Sequence, residues 1–142
     1  MSIDLDAARG LIAEVRAAAH ARGLKPLTVV VLDTGGHVVA AEREDGSSNG
    51  RFAIAHGKAH GAIAMGLGSR ALMGRAEQQP YFITAVTSAV GGALVPVPGG
   101  VLLRDTEGNL VGAVGVTGDT SDNDEAAAVE GVEAIGLTAQ TE

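Results

Sequence analysis

His56 and His60 stand four residues apart. On a helix that spacing puts both imidazoles on one face, one turn apart. Neutral imidazole is the commonest metal ligand among side chains. A pair at this spacing can grip one ion, as in His-Glu-x-x-His zinc sites. Here the intervening residues are Gly57, Lys58 and Ala59, so the glutamate base of those sites is missing. The pair therefore reads as a metal site or as two surface or interface histidines. Lys58 points away from the histidine face. It can pair with a carboxylate or, if desolvated, act as a base or Schiff-base amine. Its structural alternative is an ion pair with Asp45 or Asp124. Catalytic roles thus fall to Lys58 and His60, and metal ligation, by a divalent ion, to His56 and His60.

Other groups offer less. His37 follows Gly35-Gly36 in a turn and is either a ligand at an interface or simply exposed. His20 stands near a helix end, where the negative end of the dipole favours it as a surface residue. Gly99, Gly100 and the stretch Gly112 to Gly118 present backbone N–H groups with no side chain in the way. Thr117 leads into a helix N-terminus, a place that attracts anions. Yet Asp119, Asp122 and Asp124 crowd that end, which favours capping or a hard cation over an anion. No phosphate loop or dinucleotide fingerprint occurs.

The elements that must hold these residues are legible. Leu5, Ala8, Ile12, Val15 and Ala19 recur at helical spacing from about Asp4 to Arg22, closed by Gly23 and Pro26. Leu27–Asp33 and His37–Arg43 flank a Thr-Gly-Gly turn and predict an antiparallel hairpin. The first of these strands is apolar on both faces, so it should be central. Phe52 to Met65 predicts a helix, although glycines at 57, 61, 66 and 68 each lower helix propensity by about 1 kcal/mol. That cost points to close packing against another element or a ligand, or else to simple drift in a chain rich in alanine and glycine. Ser69 to Gln79 fits a short helix or a turn-rich segment, and Tyr81 to Val90 fits helix or strand equally. Val101–Arg104 and Leu110–Thr117 form a second hairpin. Asp122 and Glu125 form a capping-box-like start to a last helix reaching about Leu137.

Composition bounds the rest. A chain of 142 residues fits a single domain spanning 1–142. Only Phe52, Tyr81 and Phe82 are aromatic, so the core must come from aliphatic and alanine side chains with glycines at close approaches. The absence of cysteine excludes disulfides, thiolate metal sites and cysteine nucleophiles, and suits a cytoplasmic protein. A net charge of -7 disfavours nucleic acid as a partner. No apolar run is long enough for a membrane span, and no signal peptide is expected.

Five segments resemble one family. Val30-Val31-Leu32-Asp33-Thr34-Gly35-Gly36-His37-Val38-Val39-Ala40 is similar to its first hairpin. Glu42-Arg43-Glu44-Asp45-Gly46 is similar to its Glu-Arg-Met-Asp-Gly segment, with Glu44 in place of Met. Gly57-Lys58-Ala59 matches a helix motif. Pro98-Gly99-Gly100-Val101 with Gly112 to Gly118 resembles the second hairpin, although Leu102 stands where the family has proline. Asp124-Glu125-Ala126 matches the opening of the last helix. These segments resemble the GlcG/HbpS-like group, related to the C-terminal domain of PduO-type proteins. The resemblance implies an α+β, profilin-like α-β-α sandwich around a five-stranded antiparallel sheet, and a homo-oligomer. It implies haem or a related cofactor as ligand, in sensing, storage or redox. His37, Arg43, His56, Lys58, Gly99, Gly100 and Thr117 are then the cofactor-binding residues. Two alternatives are a metal-assisted enzyme of small-molecule catabolism using His56, His60 and Lys58, and a non-catalytic assembly module.

Overall fold

The computed structural model describes residues Met1–Glu142. In chain order it contains α1 (Leu5–Ala21), β1 (Thr28–Leu32), β2 (Val38–Arg43), α2 (Arg51–Met65), α3 (Ser69–Gln78), α4 (Pro80–Ala89), β3 (Gly100–Arg104), β4 (Leu110–Thr117), α5 (Ser121–Ala134) and β5 (Thr138–Gln140). The strands form one antiparallel sheet in the order β2-β1-β4-β3-β5. Every residue of β1 is buried, as expected of a strand apolar on both faces.

Helices cover both faces. On one side, Leu11, Ile12 and Val15 of α1 and Ala127, Ala128 and Val132 of α5 pack on Val29, Val31, Val101, Val114 and Val116. On the other, Ala55, Ala59 and Ala62 of α2 pack on Val30, Leu32, Leu102 and Ala113. The architecture is therefore an α+β sandwich of the expected three-layer kind. The segment left open between helix and strand is α4, with Pro80 at its first turn, where a proline's missing N–H and fixed φ suit a helix start. Two boundaries differ from expectation. The last helix starts at a cap on Thr120, whose side chain accepts from Asn123 N, not at an Asp122–Glu125 box, and it ends at Ala134. The chain then adds β5, which three residues of sequence do not announce.

The placement of α2 explains the glycines. Gly100 and Gly115 are cross-strand partners in β3 and β4. A Cβ on Gly115 would come within 1.9 Å of the Ala55 carbonyl oxygen, and one on Gly100 within 2.2 Å of the Lys58 carbonyl oxygen. The α2 backbone thus lies directly on a bare patch of sheet. On the opposite side of the same helix, Gly57 and Gly61 admit Val95 and Leu94. The helix propensity given up at these glycines is offset by contacts made on two sides at once.

Gly115→Ala is expected to destabilise the fold by about 3 kcal/mol, because helix or sheet must shift to admit the methyl group. Gly10→Ala, in the middle of α1 with nothing within 4 Å of its Cβ position, should stabilise it by about 0.5–1 kcal/mol. Urea denaturation of the two variants beside the parent checks both signs.

Candidate functional site

Two groups of site residues emerge on opposite aspects of α2. The first is buried. Lys58 is 1% exposed, and its Nζ donates to the Val116 carbonyl at 2.9 Å and to Asp124 Oδ2 at 3.2 Å. Asp124, equally buried, accepts from Asp119 N at 2.9 Å through its other oxygen. Of the two partners foreseen for Lys58, the fold selects Asp124. Gly99 closes over the lysine: a Cβ there would lie 2.9 Å from Nζ. Burial pushes the Lys58 ammonium below its usual pKa, and Asp124 opposes that push. The pair links α2 to the first turn of α5 past the end of the sheet.

Neighbouring groups are engaged in the same region. Gly100 N donates to Ser69 Oγ at 2.7 Å, and Ser69 donates back to the Gly100 carbonyl at 3.2 Å. Arg51, which the sequence did not single out, donates to the buried Thr117 hydroxyl at 2.9 Å. Lys58, Gly99, Gly100 and Thr117 are thus brought together, as a packed junction rather than an open cleft. Asp119 and Asp122 lie nearby but separate: Asp122 pairs with Arg70, while Asp119 is bound to Lys25 N, Thr120 N and Asn123.

The second group lies on the flank of α2. Phe52, His56 and His60 form a column of flat rings. Phe52 and His56 stack at 6.0 Å between centroids, tilted by 14°, and His56 and His60 at 5.4 Å, tilted by 22°. Spacing by four residues produces this column. The Phe52 member carried the same signal in the sequence and was missed. His60 Nδ1 donates to the Ala93 carbonyl at 2.9 Å, which leaves Nε2 as the acceptor nitrogen. Gly36, in the β1–β2 turn, faces this flank: a Cβ there would lie 3.2 Å from the His60 ring. Burial first, and the neighbouring His60 second, hold the His56 pKa below the ordinary histidine value. No group of three or more His, Asp or Glu side chains gathers to hold a metal ion.

The flank opens on an uncovered strip of sheet. Val38, Ala41 and Arg43 of β2 pair with Leu32, Val30 and Thr28 of β1. Val30 and Leu32 face α2, so their β2 partners lie on the same face. Val38, Ala41 and Arg43 are all exposed, because α2 sits over the inner strands and β2 extends beyond it. The other two histidines stand apart. The His37 side chain is 82% exposed beside Asp33, and His20 Nε2 meets Glu44 Oε2 at 2.8 Å at the end of α1.

A family model described as haem degrading protein HbpS-like matches residues 3–133. The chain belongs to the HbpS-like family. Solved structures share its fold. A PduOC–heme complex is 22% identical with a TM-score of 0.86, covering 99% of each chain. Klebsiella pneumoniae protein ORFY is 24% identical with a TM-score of 0.83, over 94% of this chain and 90% of that one. A double mutant of Streptomyces reticuli HbpS is 26% identical with a TM-score of 0.80, over 96% and 88%. No curated protein sequence matches significantly. No helix of this HbpS-like chain is long and apolar enough to cross a membrane.

Removing one partner of the buried pair leaves an uncompensated charge. Lys58→Met is expected to cost about 3–5 kcal/mol of stability. The double variant Lys58→Met/Asp124→Asn should be more stable than Lys58→Met. Equilibrium unfolding of both variants measures the difference.

Proposed function

We propose that this HbpS-like chain, as one domain, binds haem or a closely related flat cofactor in the corner between α2 and the open face of β2, in sensing, storage or redox. The observation that carries the reading is the ring column beside an uncovered sheet strip. A planar macrocycle needs a flat apolar wall, a neutral nitrogen and a cation for its carboxylates. Phe52 and the exposed Val38 and Ala41 supply apolar surface. His56, with its depressed pKa, supplies a nitrogen that stays unprotonated at neutral pH. Arg43, on the same sheet face and free of any ion pair, suits a carboxylate. The residues present therefore fit the group. Haem bound here brings an iron centre with redox and ligand-exchange chemistry. His60 then acts as a positioning residue, tied to Ala93 and stacked beneath His56. The heme in the PduOC complex and the name of the HbpS-like family support the same ligand class.

A second reading, self-assembly, draws support from β2 itself. It is an edge strand of six residues whose outer backbone groups are unpaired, and such edges pair readily with another chain. Light scattering reports whether the chain is larger than a monomer.

Haem titration followed in the Soret region should show saturable binding. His56→Ala should weaken it by on the order of 100-fold, about 2.7 kcal/mol. His37→Ala should leave it unchanged. Because protonation competes with ligation and the His56 pKa is lowered, affinity should hold below the ordinary histidine value of 6.5 and fall only at more acid pH. Equal binding by the parent and His56→Ala rejects the site. No Soret shift in any sample rejects the ligand.

A further inference from the structure

A polar cleft opens where three loops meet at the far end of the sheet, with a volume of about 230 Å³. Its lining includes Lys25, Gly46, Ser47, Ser48, Arg51 and Gly118, and contains no carboxylate and no apolar wall of aliphatic or aromatic side chains. In a chain of net charge -7, a concavity lined by two cations and two hydroxyls is a local reversal of sign.

The donors are held from below. Thr28 and Thr117 are cross-strand partners in β1 and β4, and both are buried. Thr117 Oγ1 accepts from Arg51 Nη1 at 2.9 Å, and Thr28 Oγ1 lies 2.9 Å from Ser47 Oγ. Two buried hydroxyls thus fix one guanidinium and one serine at the cleft. Of the five guanidinium N–H groups of an arginine, most remain for a ligand. The backbone is equally constrained. A Cβ on Gly118 would come within 2.2 Å of the Pro26 carbonyl oxygen, and one on Gly46 within 3.2 Å of Pro26 Cγ. The loops carrying Lys25, Ser47 and Gly118 therefore pack against one another at fixed distance.

The carboxylate next to Gly118 in the chain is already engaged. Asp119 accepts from Lys25 N at 2.9 Å, Thr120 N at 2.8 Å and Asn123 Nδ2 at 2.8 Å. These bonds hold its pKa down to about 2. It anchors the Lys25 backbone and leaves the lysine ammonium without a carboxylate partner in the structure.

From this arrangement we propose that the cleft is a binding site for a compact phosphate group, with Arg51 and Lys25 as the charge partners and Ser47 and Ser48 as hydroxyl donors. The cleft is smaller than the roughly 300 Å³ at the low end of drug-sized sites, which favours a single tetrahedral anion over a large cofactor. Arginine and lysine together supply the forked and point-charge contacts that phosphate oxygens accept. The site shares no residue with the ring column, so it stands whether or not haem binds there.

Amide-detected NMR titration at constant ionic strength tests the proposal, using inorganic phosphate in one arm and glycerol phosphate in the other, with chloride as control. Saturable shifts are expected at Ser47, Ser48, Arg51 and Gly118. Arg51→Gln should weaken binding by about tenfold or more, and the exposed Lys25→Gln by about threefold, with His56→Ala unchanged. Tighter binding of the ester assigns the site to a phosphorylated small molecule, and equal binding assigns it to free phosphate. The proposal is overturned if neither anion gives saturable shifts, if chloride matches them, or if Lys25→Gln and Arg51→Gln both bind as the parent does.

Discussion

The approach of α2 to the sheet governs the remainder of the molecule. Gly100 and Gly115 strip one cross-strand pair of side chains, and the α2 backbone descends into the space. Only alanines fit between: Ala55, Ala59 and Ala62 make the buried seam. At this depth a long side chain on the same face cannot stop at the sheet surface. Lys58 runs along it and reaches the Val116 carbonyl and Asp124. The same depth brings Gly36 of the first hairpin against His60. One steric condition thus places a buried charge, a ring column and the open strip of β2.

The chain also shows how a protein with three aromatic residues builds a core. Aliphatic side chains fill the α1/α5 side in the usual way, with Leu11, Ile12 and Val15 against valines of the sheet. On the α2 side the helix contributes only alanines to the buried apolar cluster, against Val30, Leu32 and Leu102 of the sheet, and relies on backbone proximity. Dispersion falls steeply with distance, so small residues at short range replace large residues at longer range. The scheme leaves little tolerance: a methyl group is enough to disturb it, as the distances at Gly115 and Gly100 indicate.

Much of this was legible in the residues, for identifiable reasons. The apolar run Thr28–Leu32 announced a central strand, and Leu11, Ile12 and Val15 a helix face, because periodicity reports burial directly. The helix at Pro80 was ambiguous because Tyr81, Phe82, Ile83 and Thr84 favour strands locally, and tertiary packing of Ile83 against Leu72 and Leu94 decided the matter. Strand β5 carries too few residues to show a period. Within the site, Asp124 was one of two partners considered for Lys58. The choice depends on a contact spanning 66 positions, which only the β4–α5 turn fixes. Arg51 gave no signal, since its role comes from a threonine two strands away in space. The cap on Thr120 was overlooked because the neighbouring aspartates offered a more familiar pattern.

The two margins of the sheet are unlike. β2 offers six residues of open backbone, and β5 offers three. If two copies joined through β2 about a twofold axis, each would cover the other's long margin in the same act. What stayed outside would be a pair of stubs, too short to template another strand. Addition along the sheet would then be self-terminating, with nothing left for an open fibre to grow on.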